Sequence, residues 1–340
     1  MKTITLQEPG AFVLCDTPSP DDLPAGHALV RVHRVGICGT DLHAYRGRHP
    51  FVEYPRILGH ELGVEVVDIA SDVASLRAGD LCCVEPYLNC GTCVACRQGK
   101  TNCCQTLRVL GVHVDGGMRE RIVVPADKLH RSEKLSLEQL ALVETLGIGA
   151  HAVVRANVQR GEHVLVVGAG PIGLTVMQFA QLAGAKLAVI DASEPRLRFA
   201  QRAFDLVVAV RAGSEAVAQV RAAFDGDLPT CVFDATGNPA AMRQSIDFPA
   251  PGGRLVFVGV VPDDITFNDA DFHRRELSLR ATRNATAADF QRIIALIEGG
   301  AIDTTPWITH RAACDRMIDV FESWLNPDTG VIKAMVSFTD

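Results

Sequence analysis

The stretch "EHVLVVGAGPIGLTVMQFAQLAGAKLAVIDAS" constrains the fold more than any other part of this chain. An apolar run leads into Gly168-x-Gly170-x-x-Gly173, then a helical stretch that ends at Gly184, then a second apolar run that ends at Asp191. In the order strand, turn, helix, strand, each glycine has a task. The first makes the tight turn, the second lets a pyrophosphate approach the backbone, and the third lets helix and strand pack closely. The helix N-terminus, with Pro171 and Ile172 in its first turn, turns free N–H groups toward the phosphates. The runs "DLVVAV", "TCVFDATG", "GRLVFVGV" and "LSLRAT" continue the series, with helical stretches between most of them. This alternation predicts an α/β fold with a doubly wound parallel sheet, a Rossmann dinucleotide domain. An acid at Asp191 can accept hydrogen bonds from the adenosine ribose and repels a 2′-phosphate, which favours NAD over NADP. Arg196 can stack on adenine or meet a 2′-phosphate.

Residues 25–145 have a different texture. Short apolar runs broken by Gly and Pro, such as "HALVRVHRVGICG" and "AGDLCCVEPY", predict irregular strands rather than helices. A length of 340 residues accommodates two domains. A net charge of −7 argues against nucleic acid or an anionic membrane as partner. No apolar run reaches the length of a membrane span, and the first residues carry no apolar leader core. Eleven cysteines, an odd number, argue against a disulfide framework and for a reduced, cytoplasmic protein.

Five of those cysteines fall within "NCGTCVACRQGKTNCC", residues 89–104. Cys90, Cys93, Cys96 and Cys104 follow C-x2-C-x2-C-x7-C, and four thiolates close a zinc tetrahedron with no open position, the mark of a structural site. Cys103 is a neighbouring thiol that can replace Cys104 in the pattern. A second, mixed set lies upstream, with Cys38, Thr40 and His43 in "GICGTDLH" and His60 and Glu61 in "LGHELG". Cys, His and carboxylate suit a zinc site that keeps an open position. Glu144, in "ALVETLGIG", is a carboxylate in an apolar stretch that either faces solvent or reaches the cleft.

Taken in order, "GICGTDLH", "GHE", the cysteine loop and "VGAGPIG" resemble the zinc-dependent medium-chain alcohol dehydrogenases over essentially the full length. The resemblance implies a mostly β, GroES-like catalytic domain at 1–146, the dinucleotide domain at 147–285, and a C-terminal segment, 286–340, that returns to the catalytic domain. It implies one catalytic and one structural zinc per chain, with NAD as cofactor. Cys38 and His60 would bind the catalytic zinc, Glu61 would exchange with solvent or substrate, and Glu144 would occupy the last protein position. Cys103 would be a spectator. Thr40 and His43 would pass the substrate proton to solvent, and Val260 and Arg283 would join the cofactor-binding residues. "YPRILGHE", "TNCC", "GVHVDGG", "FHRRE" and "RNATAADF" are similar to the sugar-acid and polyol branch, which usually reads Glu-Pro-Phe where this chain has Glu144-Thr145-Leu146. The activity implied is oxidation of a secondary hydroxyl of a sugar acid, of L-galactonate or L-gulonate type. Arg283 and then His113 are the candidates to meet its carboxylate. A neutral polyol or L-threonine is the alternative substrate, and a non-catalytic NAD(H)-binding protein the alternative of another class. Similar enzymes are dimers or tetramers, so a homo-oligomer is expected.

Overall fold

In a computed structural model, which describes residues 1–339, the chain divides into two compact units. One is Met1–Thr145 with Ala285–Asp340 and the other is Leu146–Asn284.

The second unit is a six-stranded sheet in which every pairing is parallel. Counted within the unit, the strand order is 3-2-1-4-5-6, the doubly wound order whose switch point lies beside the first strand. That first strand, His163–Val167, pairs with Lys186–Asp191 on one side and Cys231–Asp234 on the other. Strands of this kind are covered on both faces and so read as unbroken apolar runs. Leu165, Val167, Ala188, Ile190 and Val232 are buried in one core cluster.

The first unit is built around a seven-stranded mixed sheet. Its long strand His27–Ile37 pairs antiparallel with Glu61–Ile69, with Arg121–Pro125 and with the C-terminal strand Lys333–Ser337. The C-terminal segment therefore supplies structure to this unit, and its residues Phe321, Trp324, Ala334 and Val336 join the core with Val30, Val64 and Ile122.

Besides the one-turn helix Val94–Arg97, two helices stand where strands were expected before residue 145. Gly39–Tyr45 is a seven-residue helix, too short to show a period in sequence. Cys38 stands at its N-cap, and the Asp41 carboxylate accepts the Cys38 N–H at 2.8 Å. Leu137–Ala156 is a twenty-residue helix with a reciprocal capping box, Ser136 Oγ accepting the Gln139 N–H and Gln139 Oε1 accepting the Ser136 N–H. It is apolar nearly all round, so no amphipathic stripe announced it. By length and mean composition it could cross a membrane, although Glu138, Glu144 and Arg155 break any continuous apolar run. Two thirds of its apolar window, 67%, is buried within the protein, as in a core helix.

Candidate active site and metal centres

The mixed donor set forms where strand His27–Ile37 gives way to the short helix. Cys38 caps that helix, while Glu61 opens the neighbouring strand and His60 immediately precedes it. Donor atoms of Cys38, His60 and Glu61 lie within 4.8 Å of one another. His60 and Glu61 are buried and Cys38 half-buried. Asp41, fully buried, places a carboxylate oxygen 3.9 Å from His60 Nδ1, a charge contact beyond hydrogen-bond reach. Burial lowers the His60 pKa, but Cys38 and then Asp41 draw it well above its ordinary value.

Glu61 has a partner that the sequence did not announce. Lys333 Nζ donates to both Glu61 oxygens, at 2.6 and 2.7 Å, and to the Ile37 carbonyl at 3.2 Å. Burial alone would raise the Glu61 pKa, but Lys333 and then His60 hold it below its ordinary value. Gly36 makes room for this carboxylate, since a Cβ there would come 2.2 Å from Glu61 Oε2. Glu144 is buried too, and the buried Tyr87 hydroxyl donates to its Oε1. Glu144 falls outside the 4.8 Å set, and burial raises its pKa although the nearby His60 lowers it. Three buried carboxylates and a thiol share this region with one lysine and one histidine. A soft-plus-hard donor set with surplus negative charge fits a zinc ion, which takes S, N and O ligands. Thr40 lies in the first turn of the helix, half-buried, and His43 is exposed near its end. Burial first, then Arg46 and Arg48, lowers the His43 pKa.

The cysteine loop gathers Cys90, Cys93, Cys96 and Cys104 with their sulfurs within 4.8 Å. Cys103 is exposed and outside the set, whereas Cys104 is buried. Backbone N–H groups point at the sulfurs, Cys90 N–H at Cys104 Sγ (3.3 Å) and Cys93 N–H at Cys90 Sγ (3.4 Å). N–H groups aimed this way stabilise thiolates, and those from Thr92 and Cys93 help bring the Cys90 thiol down to about 5. The chemistry fits a closed zinc site of four thiolates.

In the second unit a cavity of about 440 Å³ opens at the C-terminal ends of the strands, lined by Gly168, Gly170, Asp191, Arg196 and Thr236. Gly168 has φ of +100°, which only glycine adopts without strain. A Cβ on Gly173 would come 1.7 Å from the Gly168 carbonyl oxygen, so helix and turn touch because both residues are glycine. A Cβ on Gly170 would meet nothing nearer than Arg196, 3.6 Å away, and would point into space the cavity keeps open. Pro171 and Ile172 begin the helix Pro171–Leu182. Asp191 accepts the Ala169 N–H at 2.6 Å and the Ser193 N–H at 2.7 Å, which locks its carboxylate at the rim. The cradle fits a dinucleotide. Val260 is 88% exposed in the same unit, and Arg283 is exposed two residues beyond strand Ser278–Ala281. His113, in the first unit, is half-buried, and its Nδ1 accepts the Val109 N–H at 3.2 Å.

Sequence reasoning missed Asp41, Tyr87 and Lys333. Asp41 carried a signal, three residues after the capping Cys38. Lys333 carried none, standing 272 residues from its partner in an ordinary strand sequence.

Comparison with known proteins agrees with this geometry. Residues 24–134 match a family model described as the alcohol dehydrogenase GroES-like domain, and residues 171–299 one described as zinc-binding dehydrogenase. The chain is 38% identical to L-galactonate-5-dehydrogenase of Escherichia coli K12, over 99% of each protein. It is 37% identical to D-altritol 5-dehydrogenase of Agrobacterium fabrum, over 94% of this chain and 95% of the relative. Among solved structures, an Escherichia coli CFT073 alcohol dehydrogenase in complex with NADH superposes with a TM-score of 0.92 at 30% identity, over 99% of both chains. The chain belongs to the zinc-dependent medium-chain alcohol dehydrogenase family, in its sugar-acid and polyol branch, and is an NAD-dependent dehydrogenase.

Proposed function

We propose that this dehydrogenase oxidises one secondary hydroxyl of a six-carbon sugar acid, of L-galactonate or L-gulonate type, to a ketone. The observation that carries the reading is the Cys38–His60–Glu61 set, with His60 and Glu61 buried and a surplus of negative charge around it. Likeness to L-galactonate-5-dehydrogenase along the whole chain supports the choice of substrate.

Cys38 and His60 would hold the catalytic zinc, with Glu61 as the exchangeable ligand and Glu144 at the last protein position. Cys90, Cys93, Cys96 and Cys104 would hold the structural one. Bound there, zinc supplies Lewis-acid chemistry that lowers the pKa of a coordinated hydroxyl. Lys333 keeps Glu61 ionised and turned, while the Asp41 carboxylate lies 3.9 Å from the His60 ring as a nearby negative charge. Thr40 takes the hydroxyl proton, and His43 hands it to solvent. With its pKa below the usual value, His43 is neutral at pH 7 and ready to accept. Gly168, Gly170 and Gly173 with Pro171 and Ile172 seat the pyrophosphate, and Asp191 takes the adenosine ribose with Arg196 beside it. Val260 and Arg283 complete the cofactor contacts. Bound in that cradle, NAD would supply a hydride acceptor, chemistry that belongs to the cofactor. Arg283, or else His113, meets the substrate carboxylate. The protein works as a homo-oligomer, a part of the proposal that light scattering tests.

The likeness to D-altritol 5-dehydrogenase favours one second reading, a neutral polyol as substrate. NADH formation from NAD, with the zinc-loaded protein, separates them. L-galactonate, L-gulonate, galactitol, D-sorbitol and L-threonine form the panel. Turnover of an aldonate well above every neutral polyol supports the proposal, and turnover of polyols or threonine alone replaces it.

A further inference from the structure

Phe51 is a large apolar side chain left 63% exposed, yet it is not loose. Its ring stacks on His113, with centroids 5.8 Å apart and planes at 21°, and meets His49 edge-on at 6.0 Å. Both histidines have a fixed tautomer. His49 Nδ1 accepts the Phe51 N–H at 3.3 Å, and His113 Nδ1 accepts the Val109 N–H at 3.2 Å. A ring nitrogen that accepts carries no proton, so each neutral imidazole bears its hydrogen on Nε2. Burial, then the neighbouring His43, His60 and His113, lowers the His49 pKa and keeps that ring neutral.

His49 and Phe51 lie on the segment that also carries Cys38, and His113 lies on a loop bonded to the approach to His60. His49 and Phe51 follow the helix capped by Cys38. The loop of His113 is tied to the approach to His60, with Gly116 N–H on the Ile57 carbonyl (2.7 Å), Met118 N–H on Leu58 (2.9 Å) and Gly117 N–H on Gly59 (2.9 Å). A Cβ on Gly116 would come 2.3 Å from the Gly59 oxygen, so this contact holds the loop close. Neither His49 nor Phe51 has a part in the chemistry described above.

We infer that His49 and Phe51, braced by His113, form a wall that reads the polyhydroxy chain beyond the reacting carbinol. The His49 Nε2–H donates to a distal substrate oxygen, and the exposed face of Phe51 packs on the C–H side of the chain. Sugars present that pairing of oxygens on one side and C–H groups on the other, and short alcohols lack it. A neutral donor serves a hydroxyl or a carboxylate oxygen alike. This inference rests on the sugar-acid or polyol reading of the site.

The test compares the zinc-loaded, full-length wild type with His49→Phe, His49→Gln and Phe51→Ala. Phe keeps an aromatic ring without the donor, and Gln places an N–H near the position of Nε2. The quantity read is the ratio of kcat/KM for the best six-carbon substrate of the panel to that for 2,3-butanediol, with zinc content measured in each variant. His49→Phe and Phe51→Ala should lower that ratio about tenfold, chiefly through KM. His49→Gln should recover most of the loss. An unchanged ratio in His49→Phe, or equal losses in His49→Phe and His49→Gln, overturns the inference while the functional reading stands. A wild type that turns over no six-carbon polyhydroxy compound overturns the functional reading by itself, and the wall with it.

Discussion

Lys333 is the only cation that hydrogen-bonds Glu61 among the described residues, and both groups are at most 2% exposed. Removing one partner of such a pair strands the other charge in a low-dielectric interior, at about 3–5 kcal/mol. Lys333→Met is therefore expected to lower stability to urea by about that amount, and a loss below about 1 kcal/mol would show that the pair is solvated in solution. Cys104 and Cys103 make a second contrast at this scale. Adjacent in sequence, they differ in burial and in reach, and only Cys104 has its sulfur in the four-thiol set. Cys104→Ser should release one zinc per chain and lower Tm, whereas Cys103→Ser should keep the metal content of the wild type. Metal analysis of the purified variants decides it, and the reverse pattern would transfer the ligand role to Cys103.

Three central strands of the parallel sheet are tied together at their N-terminal ends, away from the dinucleotide cavity. Glu162 precedes strand His163–Val167, Thr230 precedes Cys231–Asp234, and Arg254 begins Arg254–Phe257. Glu162 Oε1 accepts from Thr230 Oγ1 and from Arg254 Nη1, both at 2.7 Å, and Oε2 accepts from Arg254 Nη2 at 2.8 Å and from the Gln159 N–H at 2.9 Å. Burial alone would raise the Glu162 pKa, but Arg254 and Thr230 outweigh it and the net shift is downward. A carboxyl depressed in the folded state contributes stability that is complete above its unfolded pKa, about 4.3. That contribution is lost as pH falls through the lower folded value. Glu162→Gln should cost about 1–2 kcal/mol at pH 7, and the difference from wild type should shrink on acidification below about pH 4. Urea titrations at pH 7 and pH 3.5 check both, and a difference that does not change with pH refutes the ionic clasp. Elements of this sheet were legible because a strand buried on both faces must be a continuous apolar run, and the glycines of the turn can be read from contact distances alone. The helix Leu137–Ala156 was not legible, because a helix buried nearly all round has no polar face to mark its period. Its capping pair, Ser136 and Gln139, was the one local sign. Cys38, His60 and Glu61, expected together from the order of motifs in the resemblance, do have their donor atoms side by side. Lys333 could not be expected there, since the ion pair is made by strand pairing across nearly the whole chain.

Each of the two units has a hydrophobic core of its own and a different ligand chemistry. The unit formed by Met1–Thr145 with Ala285–Asp340 carries both zinc-type donor sets, while Leu146–Asn284 carries the dinucleotide cradle. A ligand that binds only the folded form stabilises it by mass action, by about 2.7 kcal/mol at a hundredfold excess over Kd. For a unit of this size that is a rise in Tm on the order of 8 °C. Metal is expected to work in the other unit, where the cysteine loop has almost no buried apolar side chain to hold it. Calorimetry should therefore resolve two transitions with separate sensitivities. NADH should raise the one belonging to Leu146–Asn284, and prolonged treatment with a strong chelator should lower the other. Cys104→Ser should imitate the chelator, and Glu162→Gln should lower the transition that NADH raises. A single transition displaced by both ligands alike would mean that the units unfold together, and that separate cores in this chain do not confer separate stabilities.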